Sequence, residues 1–140
     1  MKKGSLLISL ICLNYCLFAQ QNSTDSSQQF LFIVRYKSNM KTTDTDKLKS
    51  NARHWGVYIK ELAQSGKLIS GFRPGTDGRT ISGLNKVSTN TAYIKDGEEI
   101  GSIFLIKAAN MEEAKSIARR CPVYEFDGNV EIRPVINTAN

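Results

Sequence analysis

Phe30-Leu31-Phe32-Ile33-Val34-Arg35-Tyr36 and Ile100-Gly101-Ser102-Ile103-Phe104-Leu105-Ile106-Lys107-Ala108 are the two stretches whose reading decides the fold. Both are dense in aromatic and β-branched residues and too short for a stable helix, so both read as strands. Side chains alternate across a strand, which sends Phe30, Phe32 and Val34 to one face and Leu31 and Ile33 to the other. The second stretch repeats the pattern, with Ile103 and Leu105 on one face and Phe104 and Ile106 on the other. A strand that is apolar on both faces belongs in the middle of a sheet covered on both sides.

Between these strands, Asp44 or Thr45 can cap a helix. From Lys47 to Ser65 the apolar residues Leu48, Ala52, Trp55, Ile59 and Leu62 recur at helical spacing, which predicts one buried face. Gly66 supplies a left-handed end. Lys67 to Phe72 reads as a second strand, followed by the turn-rich loop Arg73-Pro74-Gly75-Thr76-Asp77-Gly78. Short strand-like pieces at Thr80 to Val87 and Thr91 to Lys95 lead into Asp96-Gly97, a hairpin signal. Beyond the central pair, Asn110 with Glu113 forms a variant capping box for a helix whose core face is Met111, Ala114, Ile117, Ala118 and Cys121. Pro122 stops that helix. Asn129 to Val135 then alternates, Val130 and Ile132 inward and Glu131 and Arg133 outward, as a strand with one buried face does.

The order predicts an α+β domain of split βαβ, ferredoxin-like βαββαβ type with an extra hairpin. In that topology the first and third core strands are central, and these are the two that are apolar on both faces. Two helices cover one face of such a sheet; a partner sheet in a homodimer is the economical cover for the other.

The ends of the chain read differently. Lys2 and Lys3, the apolar run Leu6 to Leu13 and the small Ala19 before a polar stretch form an export leader over residues 1–20, with too few apolar residues for a membrane span. A lipoprotein anchored through Cys16 is the minority reading, because Asn14 and Tyr15 stand where small residues belong. Residues 21–29 are a polar tether, residues 30–136 the folded domain and residues 137–140 a tail. Removal of Lys2 and Lys3 takes the formal net charge from +6 to +4. Those charges are scattered, so no nucleic-acid partner is expected. With Cys12 and Cys16 lost, Cys121 remains alone and no internal disulfide can form. At 140 residues, 41% hydrophobic and 23% charged, the composition is that of an ordinary globular chain.

The C-terminal half resembles the YCII-related domain family, especially its DGPF-type branch. Leu62 to Gly71, Asp96-Gly97 with Gly101 to Ala108, Met111 to Pro122 and Gly128 to Val135 carry the resemblance, the closing Glu131-Ile132-Arg133-Pro134-Val135 segment most specifically. The resemblance implies a dimeric α/β barrel, a cavity between helices and sheet, and a histidine in the first helix, the position His54 holds. Glu98 and Glu99 replace the Pro-Phe that follows Asp-Gly in that branch. Cys121 replaces the acid that some relatives carry before the helix-ending proline.

His54, the sole histidine, falls at the edge of the predicted helical stripe beside Asn51 and Tyr58. There an imidazole can shuttle protons near neutral pH. The bland reading, an amphipathic boundary residue, stands beside that one, since no carboxylate can be paired with His54 from sequence; Asp77 and Asp96 are candidates that also serve as turn residues. Arg35, interrupting a central strand, meets an acid, a dimer seam or an anionic ligand. Arg73 is a candidate anion contact. Cys121 reads as packing, and one histidine with one cysteine makes no metal site. There is no phosphate loop and no nucleophile elbow, and no cofactor is expected. Two functions stay open: an exported dimeric domain binding a small ligand near His54 and Tyr58, with Arg35 and Arg73 as further contacts, or a small lyase or isomerase using His54 as general acid/base. A purely structural protein is the third class.

Overall fold

The computed structural model describes residues 27–39 and 42–136; the leader, most of the tether and the tail lie outside them. Its elements are β1 (Gln28–Lys37), α1 (Thr45–Gln64), β2 (Leu68–Phe72), β3 (Thr80–Ser82), β4 (Val87–Thr89), β5 (Glu98–Ala108), α2 (Met111–Ala118), a 3-10 helix (Pro122–Phe126) and β6 (Asn129–Pro134). β2, β5, β1 and β6 form one antiparallel sheet in that order, and β3 pairs with β4 in a separate hairpin. This is the α+β, ferredoxin-like arrangement expected from the sequence, with both doubly apolar strands central; an extra hairpin is present, but its turn at Gly83 to Lys86 falls inside the piece Thr80 to Val87 read as one strand. β1 begins at Gln28, two residues before Phe30, because Gln28 and Gln29 pair with Ala108 and Lys107.

The core lies on the helix side of the sheet. Phe30, Phe32 and Val34 are each 1% exposed, and in register Phe30 faces Ile106 and Phe32 faces Phe104. Tyr58 and Leu62 of α1, Ala114 and Ile117 of α2 and Val123 of the 3-10 helix close over them. On the opposite face Leu31, Ile33, Ile103 and Leu105 are half-buried. Phe72, opposite Ile103, is 64% exposed. These side chains form an apolar patch bordered on β6 by Glu131 and Arg133, which stand across from Ile33 and Leu31.

Helix ends follow local chemistry. Asp44 Oδ1 accepts hydrogen bonds from the backbone N–H of Asp46 and Lys47, capping α1. Asn110 Oδ1 accepts from Glu113 N–H at 3.0 Å, and Glu113 Oε2 accepts from Ala109 N–H at 2.7 Å. The reciprocal bond thus reaches one residue before the cap. Replacing Asn110 with Ala is expected to cost about 1 kcal/mol, read as a lower urea midpoint at unchanged slope.

Three expectations are corrected. α1 buries Asn51, Tyr58 and Leu62, while Leu48 is 44% exposed and Ala52 is also exposed; the stripe is rotated toward His54. Residues 91–95 form no strand: Lys95 makes a single bridge to Glu98 across Asp96 and Gly97. Those two turn residues sit at φ 55° and 73°, the left-handed pair of a tight hairpin turn. Pro122 also does more than stop a helix. α2 ends at Ala118, and Pro122 opens the 3-10 helix, where its missing N–H costs nothing.

Candidate functional site

The 3-10 helix exists because Cys121 is extended, Pro122 presets the first turn, and Asp127 leaves it in left-handed geometry at φ 54°. Gly128 then enters β6 so closely that a Cβ there would lie 2.5 Å from the Arg35 carbonyl oxygen. This short helix runs beside α1, and two α1 side chains meet it while a third reaches back to α2. Asn51 Nδ2 donates to the Pro122 carbonyl at 2.9 Å and to Glu125 Oε2 at 2.9 Å. His54 Nδ1 lies 2.7 Å from Glu125 Oε1. Tyr58 O–H donates to the Ile117 carbonyl at 3.2 Å.

Charge and tautomer follow from these contacts. The hydrogen bond from Asn51 holds the Glu125 carboxyl below its ordinary range, with His54 adding to the effect against a smaller opposing cost of burial. Glu125 is therefore a carboxylate at neutral pH, and a carboxylate only accepts hydrogen bonds. The proton between the two residues must sit on Nδ1. A neutral His54 ring then presents the lone pair of Nε2 as its basic atom. The His54 side chain is 54% exposed and that of Glu125 36%, so water and small molecules reach the pair.

Because its pKa is depressed in the folded state, ionised Glu125 stabilises the fold above the unfolded carboxylate range. That contribution is lost as pH falls through the folded pKa. Replacing Asn51 with Ala is expected to move the Glu125 titration upward toward the ordinary range, measured by carbon NMR of the side-chain carboxyl. An unmoved titration would mean that Asn51 does not set it.

The pair opens onto a surface groove of about 260 Å³. One wall is the α1 ridge His54, Val57, Tyr58 and Glu61; the other is Arg120, Pro122 and Glu125. Tyr58 is 4% exposed, and burial pushes its phenol well above its usual range. It serves as floor and not as proton donor.

Of the residues singled out in the sequence, the structure brings His54 and Tyr58 together. Arg35 lies on the other face of the sheet, its Nη1 2.7 Å from Glu131 Oε2. Arg73 is exposed in the loop after β2 and does not line the groove. Cys121 is buried with its thiol pushed up to about 11, mainly by burial, so it stays protonated at neutral pH. Among the described residues no group of three or more His, Cys, Asp and Glu is placed to hold a metal. None of their helices is long and apolar enough to cross a membrane.

Glu125, Asn51, Glu61 and Arg120 were not among the sequence candidates. Asn51 lay beside His54 on the helical wheel. Glu125 had no local signal, since 71 residues separate it from His54.

The fold and site define a small ferredoxin-like α+β domain with a carboxylate-oriented histidine at the edge of a groove between its first helix and the segment leaving its second. Residues 29–139 match the YCII-related domain family, and the chain belongs to it. A search of curated proteins found no match.

Proposed function

We propose that this protein binds a small molecule in the groove and moves a proton on it, with His54 Nε2 as general base and the resulting imidazolium as general acid. The observation that carries this reading is the 2.7 Å contact of His54 Nδ1 with Glu125, whose other oxygen is held by Asn51. A carboxylate on the far nitrogen fixes the tautomer and stabilises the ring once it has taken a proton. A positioned acid/base of this kind contributes about 10²–10⁴-fold to a rate. A lyase or isomerase step is the class of reaction that needs it.

The test is proton exchange. The domain is incubated in D2O with small amino, hydroxy and keto acids, and loss of each carbon-bound proton is followed by proton NMR. Wild type is expected to wash out a proton of one member. His54→Gln is expected to slow that exchange at least about 100-fold while its circular dichroism is unchanged. Exchange of none by wild type, or equal exchange by the variant, overturns the reading.

The partner belongs to the same proposal. The patch of Leu31, Ile33, Ile103, Leu105 and Phe72 sits on the sheet face that α1 and α2 leave uncovered, and a second copy supplies a matching surface. Export of the processed chain rests on the leader-like residues 1–20.

A further inference from the structure

Besides the His54–Glu125 pair, the groove is lined by a second acid and a guanidinium, Glu61 and Arg120. Both are exposed, and neither is ion-paired to the other or to any other described residue. Several carboxylates of the domain are held by partners, Glu98 by Lys37 and Asn129, Glu113 by Lys67, and Glu131 by Arg35 and Arg133; Glu61 and Arg120 instead line the groove with their charges unspent. Two opposite charges left apart on facing walls are complementary to a ligand that carries both.

The groove is also lined by apolar side chains, Val57 on α1 and Pro122 on the other wall. Glu61 follows Val57 by one helical turn, about 6 Å of rise. The groove volume of about 260 Å³ equals that of about nine waters. A free α-amino acid with an aliphatic side chain fits within this volume and carries these groups.

From this we infer that the ligand is a small zwitterion of the α-amino-acid class, its carboxylate paired with Arg120, its ammonium with Glu61 and its apolar body along Val57 and Pro122. A guanidinium meets a carboxylate through two parallel N–H donors, which fixes orientation as well as charge. The inference rests on the groove being the ligand site proposed above, but not on His54 performing chemistry.

The test uses L-leucine, N-acetyl-L-leucine and L-leucinamide as probes of the protein, with binding followed by amide and arginine side-chain NMR shifts. Leucine is expected to bind at least 10-fold more tightly than either derivative, shifting residues 57–61 and the Arg120 side chain. Glu61→Gln is expected to erase the penalty for N-acetylation alone, and Arg120→Gln the penalty for amidation alone. A structural role for either residue would move all three affinities together. Equal binding of the three probes, or shifts confined to other surfaces, overturns the inference. So does an Arg120 side chain already locked to Glu61 in the free protein. His54→Gln separates the two proposals: retained leucine discrimination with no proton exchange leaves the ligand class standing and removes only the catalytic reading.

Discussion

Replacing Phe32 with Ala is expected to lower stability by about 3–5 kcal/mol, a large share of what a domain of this size has to lose. Phe32 is 1% exposed and sits at the crossing of the two strand pairings that hold the sheet together, opposite Phe104 on β5 and Ile132 on β6. Its ring packs in the same cluster as Tyr58 and Leu62 of α1 and Ile117 of α2. Close-packed neighbours on every side cannot collapse into the space a truncated ring leaves, so the cavity adds to the lost transfer energy. Urea unfolding followed by circular dichroism gives the difference directly. A cost under about 1 kcal/mol, the range of a surface change, would place the core elsewhere.

That core was legible in the sequence because the signal is strong and local. Phe30 to Val34 and Ile103 to Ile106 alternate large apolar side chains with no polar break, and no other segment does so on both faces. Strand order followed from topology alone. The α1 stripe was less legible, because hydropathy counts Asn51 as polar and Leu48 as apolar. In the folded chain Asn51 is buried, with the Pro122 carbonyl and Glu125 satisfying its amide, while Leu48 stays 44% exposed. A buried polar side chain is tolerated when its hydrogen bonds are made, and its partners here lie more than seventy residues away. The same distance hid the site. His54 could be picked out as a boundary residue, but its carboxylate comes from a short helix that the sequence showed only as a proline stop. Of the two arginines chosen for being charged beside apolar strands, Arg35 is drawn to Glu131 and Arg73 stays exposed in the loop after β2. Charge beside a strand reports that a partner is needed, not where that partner stands.

The neighbour of Phe32 tests the other face. Ile33 is half-buried at the middle of the open side of the sheet, between Ile103 on β5 and Glu131 on β6. Pointing away from the helices, it contributes little to the core that Phe32 anchors. In the proposed homodimer the same residue lies in the seam, and two-fold symmetry makes every substitution there count twice. Aspartate at this position would bury an unpaired charge in each copy, at about 3 kcal/mol or more apiece. Two such costs weaken association by about 10⁴-fold, since each 1.4 kcal/mol is a factor of ten. Sedimentation of the protein is therefore expected to show a dimer for wild type and a monomer for Ile33→Asp at the same concentration. Circular dichroism of the variant should retain the helical signal, because α1 and α2 pack on the opposite face. A wild-type domain that sediments as a monomer at every concentration, or an Ile33→Asp variant as dimeric as its parent, would leave the apolar patch without a second copy to cover it.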